Sequence, residues 1–267
     1  MQFAYRPNQC TLDTIAAMLH IVLFHLDKHS ENTTRCMFLD FSSAFNTIPP
    51  MRLVNKLVNL FNWPDHLVKW TFDFLTSRTQ FVFIPDMGNS DVVTTNIGSP
   101  QGCILSPFLF SVYTNDLVST DDTVKIIKYA DDTLIVGNIT KDNANTYCSE
   151  ISRTIKWCSS NGLILNENKT KEVRFDFRKS NTVPDDVIIN SKSIEVKRSI
   201  KYLGCCIDNK LTFNEHVSQV ISKASQRRFL VYRLYSFNVN RRLISLAYDA
   251  MVRSVITYAL PCFYHFL

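Results

Sequence analysis

The chain has 267 residues, and 46% of them are hydrophobic. This excludes a disordered protein and allows one sizeable core with a small helical appendage. The net charge of +5 is modest, but residues 168–242 contain 16 basic against 7 acidic residues, a net charge of +9. Because a concentrated positive charge attracts polyanions, this segment favours nucleic acid as a partner.

The cysteine spacing and the apolar segments indicate the redox state of the thiols and the relation of the chain to membranes. The eight cysteines form no CxxC pair, have no histidine at zinc-ligand spacing and follow no secretory signal, so reduced thiols in an intracellular protein are expected. The apolar stretch 255–267 is too short to span a bilayer and contains Pro261 and His265. The sequence therefore predicts a core helix there and no membrane partner.

The first predicted elements are a helix and a buried strand. Residues 11–26 place apolar side chains at helical spacing, with Asn8 or Thr11 as the N-cap. Residues 36–39 are apolar throughout, which is typical of a strand buried on both faces, and this strand ends at Asp40.

Further along, the hydrophobic period alternates between helix and strand. Residues 51–76 predict two helices that are separated near residues 63–65. Residues 80–84 and 91–97 predict a hairpin, and Ser106-Pro107 predicts the cap and first turn of a helix that ends at about Asp116.

A second hairpin has two acids at its tip. Residues 124–137 contain two β-branched runs that are joined at Asp131-Asp132. A helix over 142–161 and strands over 172–177 and 187–196 follow, with Pro184 in the connection between the strands. From residue 213 onward the pattern is helical and basic.

Adjacent carboxylates on a tight turn repel each other unless a cation lies between them. Oxygen donors without nearby histidine or cysteine favour Mg²⁺ or Mn²⁺ over zinc. Aspartate is also a favoured turn residue, so a solvated turn without a metal explains Asp131-Asp132 taken alone.

These acids belong to a series of five segments in a fixed order. They are FLDFSSAFNTI around Asp40, GSPQGCILSPFLF, YADD, NGLILNENKTK and KYLG, and the chain opens with FAYRPNQCT. In order and spacing this series resembles the reverse transcriptase domain of non-LTR (LINE-type) retrotransposons. The resemblance covers nearly the whole chain.

The resemblance implies an α+β fold: the polymerase right-hand palm, an antiparallel sheet backed by helices. Residues 1–211 are then the palm with a residual fingers segment, and 212–267 are a partial helical thumb. The chain begins after most of the family's fingers, where only Arg6 is a candidate for the triphosphate, and it ends before the rest of the thumb. It is therefore expected to be a truncated copy.

The implied activity is that of an RNA-directed DNA polymerase that joins dNTPs to a primer 3′-OH by two-metal nucleotidyl transfer. Asp40 and Asp131 match the acids that bridge two Mg²⁺ or Mn²⁺ ions, and the Phe41 carbonyl is a further ligand. Asp132 is expected to support the site. One ion activates the primer hydroxyl and the other steadies the triphosphate and the leaving pyrophosphate.

Four residues match positions that contact the nucleotide. Phe45 matches the ring that excludes a 2′-OH, Gln101 and Gly102 match the segment beside the incoming base, and Lys169 matches a lysine on the pyrophosphate side. The alternatives are a core phenylalanine, a loop that only caps the following helix, and a solvated lysine.

The implied partners are an RNA template and a DNA primer. Tyr202, Leu203 and Gly204 match the turn that grips the primer. Basic residues after this turn would follow the duplex backbone without sequence specificity, or would simply be a solvated face; they are Lys223, Arg227 and Arg228.

Three other hypotheses stay open. An RNA-dependent RNA polymerase shares the palm chemistry, although Phe45 and YADD favour deoxynucleotides. A catalytically inactive, retrotransposon-derived remnant would bind nucleic acid without turnover, and the chain could also fail to fold stably alone. The sequence sets neither the oligomeric state nor a nuclear or cytoplasmic location.

Overall fold

The structure is a computed structural model that describes residues 1–140, 143–178 and 185–266. Helices and strands alternate along the chain, with 3₁₀ turns at Ala44–Asn46 and Tyr264–Phe266 and a π-helical turn at Asp249–Arg253. The helices are α1 (Thr11–Leu26), α2 (Pro50–Phe61), α3 (Asp65–Leu75), α4 (Leu105–Tyr113), α5 (Ala144–Ser160), α6 (Asn214–Ser236), α7 (Arg241–Tyr248), α8 (Ser254–Thr257) and α9 (Leu260–Phe263).

The strands form one large sheet and several two-stranded ladders. They are β1 (Thr33–Leu39), β2 (Arg78–Gln80), β3 (Phe83–Ile84), β4 (Gly88–Asn89), β5 (Val93–Thr95), β6 (Val124–Tyr129), β7 (Asp132–Ile139), β8 (Lys171–Phe175), β9 (Ile188–Ile189), β10 (Lys192–Ser193), β11 (Val196–Lys197), β12 (Ser199–Tyr202) and β13 (Cys205–Asp208). The large sheet has the order β11-β8-β1-β7-β6, with β1 at its centre.

The central strand is buried from Thr34 to Leu39, as its apolar sequence predicts. Alternate residues point to opposite faces of the sheet, and each face has its own core. Met37 and Leu39 join the core under α2, α4 and α5, whereas Cys36 and Phe38 join the core under α1 and the C-terminal segment. The sheet is therefore covered on both faces, and the fold is α+β.

One parallel pair makes this sheet mixed. The β1–β7, β1–β8 and β6–β7 pairs are antiparallel, but β11 pairs with β8 in parallel. The purely antiparallel sheet implied by the family resemblance is therefore wrong at this edge. The connection from β8 to β11 contains a small hairpin, which returns the chain in the direction of β8.

A buried ion pair joins β1 to β8. Arg35 Nε and Glu172 Oε1 are 2.8 Å apart, and both side chains are almost completely buried. Arg174 Nε lies 2.7 Å from the other Glu172 oxygen, and the Tyr147 hydroxyl donates to Oε1 over 3.1 Å. The carboxylate thus has several charged or polar partners, which offset the cost of burying it.

Gly137 on β7 makes room for Tyr147 on helix α5. Gly137 pairs with Arg35, and the fully buried Tyr147 ring lies directly over it. A Cβ atom added at Gly137 would lie 2.2 Å from Tyr147 Cδ2. The Arg35 guanidinium is 4.9 Å from the centre of the same ring. This contact requires glycine for space and not for backbone conformation.

Several element boundaries differ from the sequence predictions. The N-cap of α1 is Cys10 and not Asn8 or Thr11; its backbone N–H donates to Asp13 Oδ2 over 2.7 Å. The helix predicted from Ser106 to Asp116 begins at Leu105 and ends at Tyr113, with Ile104 as its N-cap. Ser106 instead donates its hydroxyl to the Pro100 carbonyl.

The predicted strand 187–196 is a hairpin followed by a separate short strand. Asn190 and Ser191, both with positive φ, turn the chain between β9 and β10, so a single strand there is wrong. Helix α5 begins at Ala144. Residues 141 and 142 at its predicted start, and Pro184 in the predicted connection, lie outside the described residues.

The apolar helical stretch near the C-terminus begins before the predicted segment 255–267, and it is broken. Within the described ranges, one helical stretch, Arg241–Phe263, has 23 residues and is long and apolar enough to cross a membrane by length and composition alone; an 18-residue window of it has a mean hydropathy of 1.3 and is 11% buried. Core helices of soluble proteins meet the same criteria. The predicted core helix over 255–267 is interrupted, because Tyr258 is extended and Ala259 is left-handed.

We predict that Gly137→Ala destabilises the fold by roughly 3 kcal/mol, since overpacking a full core costs about 1–3 kcal/mol and Tyr147 has no free space to move into. Urea denaturation followed by circular dichroism measures this. Gly88→Ala is the matched control: nothing lies within 4 Å of its added Cβ, and only its positive φ opposes the change. Equal losses in the two variants would contradict the steric explanation.

Candidate functional site

The three acids lie together at one end of the large sheet. The β1–β7 ladder ends with the pair Leu39 and Thr133, so Asp40 and Asp132, the next residues along the two strands, lie at the same end of the sheet. Tyr129 pairs with Asp132 across the neighbouring hairpin, and left-handed Ala130 followed by Asp131 completes its tip. The sheet register therefore brings together the acids that the sequence singles out.

The pKa of Asp132 reports how close these charges are. Partial burial, together with the negative charges of Asp131 and Asp40, raises its pKa from 3.8 to about 6. Asp132 is nevertheless exposed on one side. Asp132 therefore lies close enough to the other two acids for their charges to act on it, and a cation bound there would offset this repulsion.

A loop that follows α5 runs beside Asp40. Ser42 donates to the Ile164 carbonyl over 2.8 Å, and Asn166 donates to the Asp40 carbonyl over 2.9 Å. Lys169 follows in the same loop, and its Nζ lies 3.9 Å from Asp40 Oδ2. The lysine side chain is 70% exposed, so it is free to face a ligand at the acids.

Phe45 is fixed against the GSPQG segment. Its ring centre lies 5.0 Å from that of Phe110, and its carbonyl accepts from Ser99 N over 2.7 Å. Gly98 has a φ of +77°, and a Cβ there would lie 2.6 Å from the Asn46 carbonyl oxygen. Glycine is required at this position, because the two segments contact each other through their backbones.

Gln101 and Gly102 are both exposed beyond this contact. Gln101 Nε2 donates to Asn46 Oδ1 over 3.3 Å, and Gly102 has a φ of +83° with open space around it. Gln101 also lines a polar cleft of about 1060 Å³ that extends toward Arg78 and Gln80. The segment thus does more than precede α4: it forms one wall of a cleft.

The Tyr202-Leu203-Gly204 turn joins β12 to β13. Leu203 and Gly204 have φ values of 45° and 85°. Tyr202 is buried and packs edge-on against Phe38, with ring centres 5.1 Å apart. Burial raises the pKa of Tyr202, and the charge of Asp132 adds to this, so the turn lies near the acids.

The predicted backbone-binding residues are exposed on α6. Lys223, Arg227 and Arg228 all face solvent. Arg227 NH1 also donates to the Met251 carbonyl over 3.0 Å, which directs this guanidinium toward the π-helical turn. Lys223 and Arg228 therefore have more freedom than Arg227 to follow a polyanion.

Sequence patterns do not identify three further residues near the site. Arg78 NH2 donates to the carbonyls of Ile97 (2.7 Å) and Gly98 (3.0 Å), which fixes the start of the GSPQG segment. Tyr5 lies near Asp131: burial raises the pKa of Tyr5, and the charge of Asp131 adds to this. Tyr258 contacts the Leu203-Gly204 turn. Tyr5 stands within the FAYRPNQCT segment; Arg78 and Tyr258 carry no local signal.

The donor set fits hard divalent cations. Carboxylate and carbonyl oxygens are the ligands that Mg²⁺ and Mn²⁺ prefer, and the raised pKa of Asp132 indicates uncompensated negative charge. In the described part of the chain, no group of three or more His, Cys, Asp or Glu residues is already arranged to hold an ion. The acids are therefore neighbours, but are not preformed as a metal cage.

Solved structures with a similar fold come from telomerase. The chain aligns with apo telomerase from Candida tropicalis truncated from its C-terminal domain, with a TM-score of 0.52 at 12% identity, covering 78% of this chain and 39% of that one. Telomerase from Candida albicans, in complex with a telomeric RNA fragment, aligns with a TM-score of 0.51 at 14% identity and covers 96% and 43%. These similarities concern the fold alone.

Sequence relatives are proteins of mobile elements. The chain is 27% identical over 228 residues to the RNA-directed DNA polymerase from mobile element jockey of Drosophila melanogaster, covering 82% of this chain and 24% of the relative. It is 26% identical over 136 residues to a Pol polyprotein from the type-1 retrotransposable element R1 of Nasonia vitripennis, covering 47% and 40%.

The probable RNA-directed DNA polymerase from transposon BS of Drosophila melanogaster is 25% identical over 236 residues, 85% of this chain and 25% of the relative. The chain thus spans about a quarter of the length of the jockey and BS proteins. The family model for "Reverse transcriptase (RNA-dependent DNA polymerase)" matches residues 1–207. The chain belongs to the reverse transcriptase family and is related to the reverse transcriptases of non-LTR retrotransposons.

Proposed function

We propose that this chain is the catalytic part of an RNA-directed DNA polymerase, which adds dNTPs to a DNA primer paired with an RNA template. The observation that carries the proposal is the convergence of Asp40, Asp131 and Asp132 at one end of the large sheet. Phe45 follows Asp40 by five residues, and its carbonyl accepts a hydrogen bond from Ser99 of the GSPQG segment. Residues 1–211 would form the palm and a residual fingers segment, and residues 212–267 a partial thumb.

The acids hold the metal ions in this proposal. Asp40, Asp131 and the Phe41 carbonyl are the ligands, and Asp132 supports the site. When bound, two Mg²⁺ or Mn²⁺ ions would supply activation of the primer 3′-hydroxyl and charge neutralisation at the triphosphate. Lys169, which is 3.9 Å from Asp40, would add positive charge on the side of the leaving pyrophosphate.

Nucleotide selection would depend on Phe45 and the GSPQG segment. The backbone hydrogen bond from Ser99 to Phe45 holds these two in place. Phe45 would lie under the sugar and exclude a 2′-hydroxyl by steric contact. Gln101 and Gly102 would lie beside the incoming base, since both are exposed and Gly102 leaves open space for a ligand. The partial burial of Phe45 against Phe110 keeps the ring in one place.

The nucleic-acid duplex would contact the Tyr202-Leu203-Gly204 turn and the basic helix α6. The turn lies near Asp132, where a primer end must arrive, and Lys223 and Arg228 are exposed. Contacts to phosphates are independent of sequence and weaken with salt. A remnant that binds nucleic acid without catalysis would share these contacts, and catalysis therefore decides between the two functions.

The proposal predicts dNTP incorporation on an RNA template with a DNA primer and Mg²⁺. Asp131→Asn should lower the rate at least about a hundredfold, because it removes a charged ligand of the ions that would neutralise the reacting phosphate. Asp122→Asn is the matched control, since Asp122 is exposed at the opposite end of the same hairpin.

Unchanged synthesis by Asp131→Asn would contradict the role of the acids. No synthesis by the unmodified chain, combined with duplex binding that falls steeply with salt, would identify the inactive nucleic-acid-binding remnant instead. Incorporation of rNTPs in preference to dNTPs by the unmodified chain would favour an RNA-dependent RNA polymerase.

Phe45→Ala should admit ribonucleotides. Removing the ring opens space for the 2′-hydroxyl, and the ratio of kcat/KM for dNTP over rNTP should fall by about tenfold or more, the range that a steric pocket contributes. Phe108→Ala is the control, because Phe108 stacks on Trp63 and not on Phe45. If sugar discrimination is the same in both variants, Phe45 is only a core side chain.

The raised pKa of Asp132 predicts a pH-dependent stability without metal. The unfolded carboxyl ionises near 3.8 and the folded one near 6, so raising the pH from about 4 to 6 favours the unfolded chain. Because Asp132 is partly open to water, screening reduces the cost to about 1 kcal/mol. In EDTA, the Tm should fall by about 2–4 °C relative to Asp132→Asn over this range.

Mg²⁺ should remove this difference at pH 7, since a bound cation compensates the three negative charges. Differential scanning fluorimetry with and without Mg²⁺ measures the effect. If the difference in Tm between the unmodified chain and Asp132→Asn is the same at every pH, in EDTA as well as in Mg²⁺, the neighbouring acids do not raise the pKa of Asp132.

A further inference from the structure

The turn between β12 and β13 is held in an unusual conformation. Leu203 has a φ of 45°, a backbone conformation that residues other than glycine rarely adopt, and Gly204 follows with a φ of 85°. Within the hairpin, the last pair of the ladder is Tyr202 and Cys205. Contacts from outside the hairpin are needed to favour this turn over its alternatives.

Tyr258 supplies such contacts. Its hydroxyl donates to the Leu203 carbonyl and lies 3.0 Å from Thr11 Oγ1 at the start of α1. Its ring covers the next residue: a Cβ added at Gly204 would lie 3.2 Å from Tyr258 Cε1. One side chain therefore contacts both left-handed residues of the turn, and it connects them to the N-terminal helix.

The break in the C-terminal helices puts Tyr258 in this place. Tyr258 has a ψ of 128° and Ala259 is left-handed, so the chain changes direction between α8 and α9. After the break, Cys262 and Phe263 are buried in the same core as Tyr202, and Cys262 Sγ lies 3.8 Å from the Leu12 carbonyl. The segment after Tyr258 is thus anchored on both α1 and the hairpin.

The turn is coupled to the acids through Tyr202. The Tyr202 ring packs edge-on against Phe38, two residues before Asp40, with ring centres 5.1 Å apart. A change in the Leu203-Gly204 backbone would therefore alter the surface next to the acids. This surface is where the proposed function requires the primer end.

We propose that Tyr258 is a positioning residue, which holds the Leu203-Gly204 turn in the conformation that receives the 3′ end of the primer. This inference deepens the proposed function and rests on it. Tyr258 lies outside residues 1–207, the part of the chain that the family model matches. The C-terminal segment would then contribute to primer placement as well as to duplex binding.

Tyr258→Phe tests the proposal with little change in packing. The ring still covers Gly204, but the hydrogen bond to the Leu203 carbonyl is lost. We expect the KM for primer–template to rise about fivefold, the effect of one neutral hydrogen bond, while kcat and the KM for dNTP stay unchanged. Thr11→Val, which removes the second hydroxyl, should change the same KM in the same direction.

Tyr264→Phe is the matched control, because Tyr264 is 62% exposed in the 3₁₀ turn after α9, and not on α6. An unchanged KM for primer–template in Tyr258→Phe would overturn the proposal. A parallel loss of Tm, kcat and dNTP use would also overturn it, since Tyr258 would then support the fold as a whole and not the primer.

Binding separates this proposal from the proposed function. Fluorescence anisotropy gives the Kd for an RNA–DNA duplex with a recessed DNA 3′ end and for the RNA strand alone, whether or not DNA is synthesised. Tyr258→Phe should raise the first Kd about fivefold and leave the second unchanged. Equal Kd values for variant and unmodified chain would overturn the role of Tyr258 even if polymerase activity is established.

Discussion

The antiparallel register of β1 and β7 is the constraint on which the site depends. Residues pair from Thr33 with Ile139 to Leu39 with Thr133, and Asp40 and Asp132 follow at the same end of the sheet. A shift by one residue would turn every side chain of one strand to the other face and move an acid away. Burial of both faces opposes such a shift, because the two cores need different sets of side chains.

The polar cluster at the other end of the same strands fixes this register more strictly than apolar packing does. Gly137 pairs with Arg35, and Tyr147 occupies the space that a side chain on Gly137 would fill. Arg35 must also meet the buried Glu172, which accepts from Tyr147 as well. Apolar residues tolerate replacement by one another, whereas a displaced buried carboxylate loses its partners at high cost. A structural ion pair at one end of β1 thus maintains the carboxylate cluster at the other.

Local sequence predicts the elements that this register aligns, but not all the contacts between them. The apolar run before Asp40, the two β-branched runs around Asp131-Asp132 and the periodic helix over 11–26 were readable, since period and burial coincide there. The hairpin at 187–196 was missed because its alternating side chains look like one strand, although Asn190 and Ser191 form its turn. The parallel pairing of β11 with β8 depends on that hairpin and was missed with it.

The motifs located the acids and the GSPQG segment, because these residues follow each other in a fixed order. Residues that hold the motifs in place come from distant parts of the chain: Arg78 fixes the segment at Gly98, and Tyr258 joins Leu203 to Thr11, 247 residues away from Tyr258 itself. Such contacts have no period and no local spacing, so only the folded structure reveals them. Both residues donate to backbone carbonyls, which every residue type carries. The sequence at the acceptor therefore gives no sign of the contact, and only the donor side chain is specific to it. Sequence motifs thus identify the candidate site residues, whereas the residues that contact the motif segments from a distance are identified only by the structure.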